Sequence, residues 1–280
     1  MRTPRLEIVW TCVALALAGA VVACSQTTPS AAPPSLTPSP GTAPATSAAP
    51  PTAAPGPNGT TIPVFQQPYP YGTPQASVPP TTDGKAPIVK RIDTDLPYVF
   101  ITIDDGAVRN PVDLELMRSS GVRPTMFLNT KYAQGHADFF TSLHDQASAA
   151  VEDHTADHPN LQGKPYAFQK QEICGNADFL GRDYGKRPAL FRPPFGNYDQ
   201  NTRKAAADCG MKALVLWTAA VNDGVVQFQQ GNELRRGDIV LMHFRNTFVQ
   251  DFTAFLTEAK KDGLTPVPLE DFLSPEPMRH

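Results

Sequence analysis

Residues 98–106 read YVFITIDDG, an apolar and β-branched run that stops at two adjacent carboxylates. A run without polar alternation predicts a strand buried on both faces, as in a parallel sheet. Six further short apolar runs follow, at 124–129, 150–154, 189–194, 212–217, 238–244 and 264–269. Stretches with helical spacing separate them, at 110–121, 139–150, 168–184, 202–210 and 252–263. The alternation predicts an α/β domain in which about seven parallel strands form a barrel covered by helices.

Four of these predicted strands end in polar residues that a barrel core does not need. The endings are DDG (104–106), HTADH (154–158), RPPFG (192–196) and His243. Taken singly, each has an ordinary explanation: a turn, a solvated loop, a structural arginine or a packed histidine. All four fall at the carboxyl ends of strands, however, where parallel barrels hold their active sites. The pattern therefore predicts one functional site at this edge.

The same endings, in the same order, resemble the motifs of the polysaccharide deacetylase family, carbohydrate esterase family 4, over residues 97–270. The family's Thr-Phe-Asp-Asp-Gly appears as TIDDG (102–106) and its His-(Ser/Thr)-x-x-His as HTADH (154–158). Its Arg-x-Pro-Tyr appears as RPPF (192–195) and its Leu-x-His as LMH (241–243). The resemblance implies a distorted (β/α)7 barrel with parallel strands and an active site at the C-terminal strand ends.

The resemblance also implies a metal site. Asp105, His154 and His158 would bind one divalent ion, because two imidazoles and one carboxylate are a suitable zinc ligand set that leaves a position open for water. Zn²⁺ is the expected ion, with Co²⁺ or Ni²⁺ as alternatives. Such an ion would polarise an acetyl carbonyl and lower the pKa of water.

The catalytic roles follow from the same resemblance. Asp104 would act as general base, and Arg192 would pair with it and keep it ionised. His243 would protonate the leaving amine. The backbone N–H of Phe195 would stabilise the oxyanion.

Two departures from the family pattern bear on substrate preference and rate. Phe195 stands where the family usually has Tyr, which a backbone role tolerates. In the fourth motif, Ala220 replaces the first Asp and Gly224 replaces an aromatic residue, so Asp223 is the remaining candidate to tune His243.

The first 84 residues differ in composition from the rest of the chain. Residues 1–23 contain two arginines followed by an apolar run over 8–22, and the run ends in VVAC (21–24). This pattern predicts a lipoprotein signal peptide with Cys24 as the lipidated residue. An ordinary signal peptide or an uncleaved anchor are the alternatives. Residues 24–84 are rich in Pro, Ala, Ser and Thr and predict a disordered linker, in which 62–72 could dock on the domain. The catalytic domain is then expected at 85–280.

Cys174 and Cys209 are an even pair in a chain expected outside the cytoplasm, and they predict a disulfide, with two buried thiols as the alternative. The net charge of −3, without a basic run, argues against a nucleic-acid partner. We expect a monomer that is extracytoplasmic and reaches the bacterial cell membrane through its lipid anchor only.

The expected function is hydrolysis of a C–N bond other than a peptide bond. The chain would remove acetyl groups from N-acetylated cell-envelope polysaccharide, either peptidoglycan or a chitin-like polymer. Two alternatives stay open. The same site could cleave acetyl esters of a xylan-type glycan, and the altered fourth motif leaves room for a non-catalytic glycan-binding lipoprotein.

Overall fold

The strand β4 (Tyr98–Asp105) forms the centre of the fold, and six of its eight residues are buried. The computed structural model describes residues 52–273. The other strands are β1 (Ala53–Pro55), β2 (Thr61–Pro63), β3 (Ile88–Val89), β5 (Thr125–Leu128), β6 (Ala150–Asp153), β7 (Leu190–Phe191), β8 (Ala213–Val215), β9 (Ala219–Asn222), β10 (Val225–Phe228), β11 (Ile239–His243) and β12 (Thr265–Pro266).

The main sheet has the order β10–β9–β11–β4–β5–β6–β7–β8–β3, and β12 pairs with the first residues of β4. Every pairing in it is parallel except that of β9 with β10. The seven predicted strands appear as β4, β5, β6, β7, β8, β11 and β12, which confirms the α/β fold class. The sheet is curled into a half-barrel, and the hairpin β9–β10, which was not predicted, extends it beyond β11.

Helices cover the convex face of the sheet. They are α1 (Pro111–Ser120), α2 (Thr130–Ala133), α3 (Ala137–Ala147), α4 (Tyr166–Asp183), α5 (Gln200–Asp208) and α6 (Phe248–Lys261). The start of α1 shows why the chain turns helical there. The Asn110 side chain accepts from the N–H of Val112, Asp113 accepts from the N–H of Asn110, and Pro111 takes the first helical position.

Two apolar clusters lie on the two sides of β4. Ile101 and Ile103 pack against α1, α3 and α6 on the convex side, whereas Phe100 packs with Phe127 and Phe272 on the concave side. Because strand residues alternate in direction, Asp104 shares the concave side with Phe100. A disulfide joins Cys174 of α4 to Cys209 after α5, as predicted, and ties these helices together.

Part of the predicted linker packs on the domain, as the sequence allowed for residues 62–72. We call residues 52–84 the strap. Ile62 is fully buried, the N–H of Phe65 donates to the carbonyl of Ser120 at 2.8 Å, and Tyr69 packs on Tyr98 and Phe272. Complete burial of one such side chain contributes about 2 kcal/mol. A few large apolar residues therefore order a segment whose average composition is typical of disorder.

The remaining N-terminal predictions lie outside the described residues. These are the signal peptide at 1–23, the lipidated Cys24 and the linker up to residue 51. Among the helices within 52–273, none combines the length and apolarity needed to cross a membrane.

Substitution of Gly121 should detach the strap. A Cβ at this position would lie 2.4 Å from the carbonyl oxygen of Phe65, and Gly121 has a φ of 71°. We expect Gly121→Ala to lower the free energy of unfolding by about 3 kcal/mol, from backbone strain plus the clash. Urea unfolding measures this loss, and limited proteolysis should show faster cleavage in the strap.

Gly135→Ala is the matched control, because Gly135 has a φ of 78° and open space where a Cβ would be. It should lose only about 1 kcal/mol, the strain of the left-handed backbone. Equal losses in the two variants would contradict the docking of the strap.

Candidate active site

The predicted strand endings meet at one edge of the sheet. In the parallel register, His243 at the end of β11 is opposite Asp104 of β4, and Asp105 is opposite Leu128 of β5. Asp153, which precedes His154, is opposite Leu128 on one side and Phe191 on the other. Arg192 follows Phe191 directly, so the ends of β4, β6, β7 and β11 supply one cluster.

Asp105 and the two histidines of the 154–158 loop form a compact set of metal donors. The Oδ1 atom of Asp105 lies 3.6 Å from Nε2 of His154 and 3.4 Å from Nε2 of His158. The three donor atoms lie within 4.8 Å of one another. Oδ1 is buried and has no hydrogen-bond partner among the described residues. A buried acceptor in this setting fits a bound cation, and the ligand set suits zinc.

Adjacent residues of a strand normally face opposite sides, yet Asp104 and Asp105 reach the same pocket. Asp105 makes this possible because its φ of 77° leaves the extended conformation. A non-glycine residue in this region carries strain that the surrounding structure must offset. The backbone turn at Asp105 thus lets two carboxylates that are neighbours in sequence reach one pocket.

The tautomer of His154 is fixed by its surroundings. Its Nδ1 lies 2.7 Å from the carbonyl oxygen of Arg192, so Nδ1 carries the hydrogen and Nε2 presents its lone pair to the pocket. Burial lowers the pKa of His154 to about 3, which the charge of Asp105 only partly opposes. His154 is therefore a neutral imidazole, the form that binds metal.

Asp104 is held by a buried ion pair. Its Oδ1 accepts from Nη1 of Arg192 at 2.7 Å, while Oδ2 lies 3.6 Å from Nε2 of His154 and faces the donor set. Arg192 is fully buried and also donates to Thr102 and to the carbonyl of Val215. Burial raises the pKa of the Asp104 carboxyl, and the charge of Arg192 opposes this increase.

Asn129 joins the segments that carry the metal donors, and sequence reasoning missed it. Its fully buried side chain donates to the carbonyls of His154 and Thr155, the latter at 3.0 Å. Its backbone N–H donates to the carbonyl of Asp105 at 3.3 Å. Asn129 directly follows β5 at the same edge, so the rule that selected the other strand ends could have found it.

Helix α4 supports the loop from the other side. The N–H of Ala156 donates to the carbonyl of Glu172, and that of Asp157 donates to the Glu172 carboxylate at 3.0 Å. Within the loop, the N–H of His158 donates to Oγ1 of Thr155. Thr155 therefore supports the loop.

Asp223 does not join the cluster. It lies exposed in the turn of the β9–β10 hairpin with a φ of 52°. Nδ1 of His243 is buried and has no hydrogen-bond partner among residues 52–273, so no hydrogen bond there supports the predicted tuning of His243 by Asp223. The physical reason is that Asp-Gly is a strong two-residue hairpin turn, which points this aspartate outward. Burial lowers the pKa of His243 to about 4, while Asp104 acts in the opposite direction.

Phe195 lies beside the donor set. It has a φ of 62°, its ring centroid is 4.8 Å from that of His158, and 63% of the residue is exposed. An exposed aromatic ring next to the histidines can contact a ligand that enters the pocket.

Comparison with known proteins agrees with this geometry. A family model described as polysaccharide deacetylase matches residues 91–214. An uncharacterized protein of Streptomyces coelicolor is 39% identical over 193 residues, which cover 67% of this chain and 77% of that protein. A peptidoglycan-N-acetylglucosamine deacetylase of Bacillus cereus is 25% identical over 153 residues, 52% of this chain and 55% of that protein.

Solved structures show the same fold. A pseudoenzyme of carbohydrate esterase family 4 from Bacillus anthracis has a TM-score of 0.57 at 21% identity. The alignment covers 69% of this chain and 71% of that one. The curled, mostly parallel sheet is therefore shared at low identity.

The two aspartates should respond differently to substitution. We expect Asp105→Ala to lose bound zinc because it removes one of three ligands, while Asp104→Asn should retain zinc and its fold. Inductively coupled plasma mass spectrometry of dialysed protein measures metal content, and circular dichroism checks folding. If Asp104→Asn also emerges without zinc, the division between ligand and base is wrong.

Asn129→Ala should weaken zinc binding by about tenfold, as expected when a group that orients metal ligands is removed. The free energy of unfolding should fall by about 2 kcal/mol, because two buried carbonyls lose their donor. Calorimetric titration with Zn²⁺ and urea unfolding measure the two effects.

Gln169→Ala provides the control for general loss of stability. Gln169 is also a fully buried amide, and it bonds to Lys164 and Asp199 away from the donors. It should lose similar stability at unchanged zinc affinity. Equal zinc affinities in both variants would remove the positioning role of Asn129.

Proposed function

We propose that the chain, which belongs to the polysaccharide deacetylase family (carbohydrate esterase family 4), is a metal-dependent N-deacetylase of cell-envelope polysaccharide. Peptidoglycan or a chitin-like polymer would be the substrate. The observation that carries this proposal is the donor set of Asp105, His154 and His158, within 4.8 Å, beside a second carboxylate that binds Arg192.

One divalent ion would be held by Asp105, His154 and His158, with zinc preferred and cobalt or nickel as alternatives. When bound, such an ion polarises an acetyl carbonyl and increases the acidity of water. The chain's contribution is to present a neutral His154, a carboxylate oxygen without a competing hydrogen bond and a rigid loop.

Asp104 would act as the general base. Its Oδ2 faces the donor set, whereas Oδ1 is occupied by Arg192, so one oxygen can accept a proton from water while the other keeps the side chain in place. A base works best when its pKa approaches the working pH, and burial raises the pKa of Asp104 in that direction.

His243 would complete the reaction at the leaving group. The water oxygen bonds to the acetyl carbon, the C–N bond breaks, and the departing amine takes a proton from His243, giving acetate and a free amino sugar. The N–H of Phe195 would stabilise the negative oxygen in between. The pairing of β11 with β4 supports the role of His243, since it lies directly opposite Asp104.

We further propose that the protein works outside the cytoplasm, anchored through Cys24. The disulfide between Cys174 and Cys209 supports an oxidising compartment. The Bacillus cereus relative, a peptidoglycan-N-acetylglucosamine deacetylase, supports a wall polymer as substrate.

A second candidate is removal of O-acetyl groups. Nδ1 of His243 has no hydrogen-bond partner in the described chain, so no carboxylate accepts a hydrogen bond from protonated His243 at that nitrogen. An alkoxide leaves a tetrahedral intermediate with less need of protonation than an amine does. An ester would therefore tolerate a weak general acid better than an amide.

Acetate release decides between these functions. The full chain with added Zn²⁺ is given N-acetylglucosamine oligomers, peptidoglycan or acetylated xylan, and acetate is measured. We expect release from the N-acetylated polymers and a loss of roughly 100-fold or more in Asp104→Asn, which lacks the base.

Release from acetylated xylan alone would select the esterase. Glycan binding without release from any polymer would show a non-catalytic protein. Either result would contradict the proposed N-deacetylase.

A further inference from the structure

Arg245 lies at the same edge of the sheet as the catalytic cluster but has no part in the proposed reaction. It follows β11 by two residues and is exposed. Its Nη1 donates to Oδ1 of Asn222, the last residue of β9, at 2.9 Å. Since β9 runs parallel to β11 with Ala220 opposite Leu241, Asn222 lies level with His243. The hydrogen bond therefore keeps the guanidinium beside the site instead of leaving it to rotate in solvent.

The charge of Arg245 is not neutralised locally. Among residues 52–273, no carboxylate lies within ion-pair distance of it. Arg245 is thus a cation held at the level of His243, and it has no anionic partner among the described residues.

The hydrogen-bonding geometry indicates what kind of anion fits. Nη1 is engaged by Asn222, and the planar guanidinium keeps a second pair of donors, Nε and Nη2, on its other side. Two parallel N–H groups match the two oxygens of a carboxylate in a bidentate pair. Asn222 fixes the guanidinium from behind, which reduces the entropy lost when such a pair forms.

We propose that Arg245, held by Asn222, binds a carboxylate of the substrate next to the scissile acetamide, so that the preferred substrate is an acidic N-acetylated glycan. This proposal rests on the proposed deacetylase function and specifies its substrate class. The carboxylate can come from a lactyl ether on the acetylated sugar or from a neighbouring uronic acid. Arg245 is a specificity-determining residue here, and the reaction itself belongs to the other residues.

The test compares glycans that differ in this one group. The zinc-loaded full chain and its Arg245→Gln variant are given alternating N-acetylglucosamine–N-acetylmuramic acid chains with free lactyl carboxylates. The same chains with carboxylates reduced to alcohols, neutral N-acetylglucosamine hexamers and hyaluronan fragments complete the set. We expect Arg245→Gln to lower kcat/KM about tenfold on one of the two carboxylated substrates, either the lactyl chains or hyaluronan, which is the usual effect of removing a charged hydrogen bond. The kcat/KM values for the neutral substrates should not change.

Two variants separate recognition from general damage. Arg245→Lys should keep part of the preference, because it retains the charge without the planar fork. Arg182→Gln should change nothing, since Arg182 is an exposed arginine in the last turn of α4, which leads to the opposite end of β7. Added salt should raise KM for the carboxylated chains alone.

Each outcome has a defined meaning. Dependence on Arg245 with the lactyl chains or with hyaluronan identifies the source of the carboxylate. Equal losses on carboxylated and neutral substrates, or no preference in the unmodified chain, would overturn the proposal.

If the unmodified chain releases no acetate from any glycan, the deacetylase function fails, and calorimetric binding of the same chains still tests Arg245. Tighter binding of carboxylated than of reduced chains, lost in Arg245→Gln, would support the carboxylate site. Equal binding would refute it.

Discussion

The buried guanidinium of Arg192 holds the active-site edge together. It binds Asp104 of β4 and the carbonyls of Val215 and Leu216 at the end of β8, and its own carbonyl accepts from His154. Its planar group stacks near Phe127 in the concave core. A fully buried charge is costly unless it is paired and hydrogen-bonded, and loss of one partner typically costs about 3–5 kcal/mol. Arg192 therefore positions Asp104 through its guanidinium and His154 through its backbone carbonyl.

Backbone strain is concentrated where the chemistry is proposed. Asp105, Thr155, His158 and Phe195 all have positive φ, between 60° and 77°. Non-glycine residues in this conformation cost of order 1–3 kcal/mol each and persist where the surroundings over-determine them. Here the surroundings are Asn129, α4 and the buried ion pair, which together turn both carboxylates and both imidazoles into one pocket. The anchored domain proposed here would thus bring a rigid site to a polymer close to the membrane.

The sequence predicted the features that depend on local pattern. Apolar runs located seven strands, and polar residues at their ends located the donor set. Composition alone does not determine the strap: three large residues, Ile62, Phe65 and Tyr69, pack it on the domain despite its proline content, within the stretch whose docking the sequence allowed. Asp223 lies in the β9–β10 turn, because the turn preference of Asp-Gly acts locally and a motif match does not fix where the side chain points. Asn129 acts through backbone carbonyls, and such a role has no sequence signature beyond its place at a strand end.

X-ray absorption spectroscopy of the zinc-loaded chain tests the central claim most directly. A single ion held by one carboxylate and two imidazoles predicts a first shell of nitrogen and oxygen only, at roughly 2.0–2.2 Å, with two histidine scattering patterns. A sulfur shell near about 2.3 Å, one histidine or none, or no zinc retained after dialysis would contradict it.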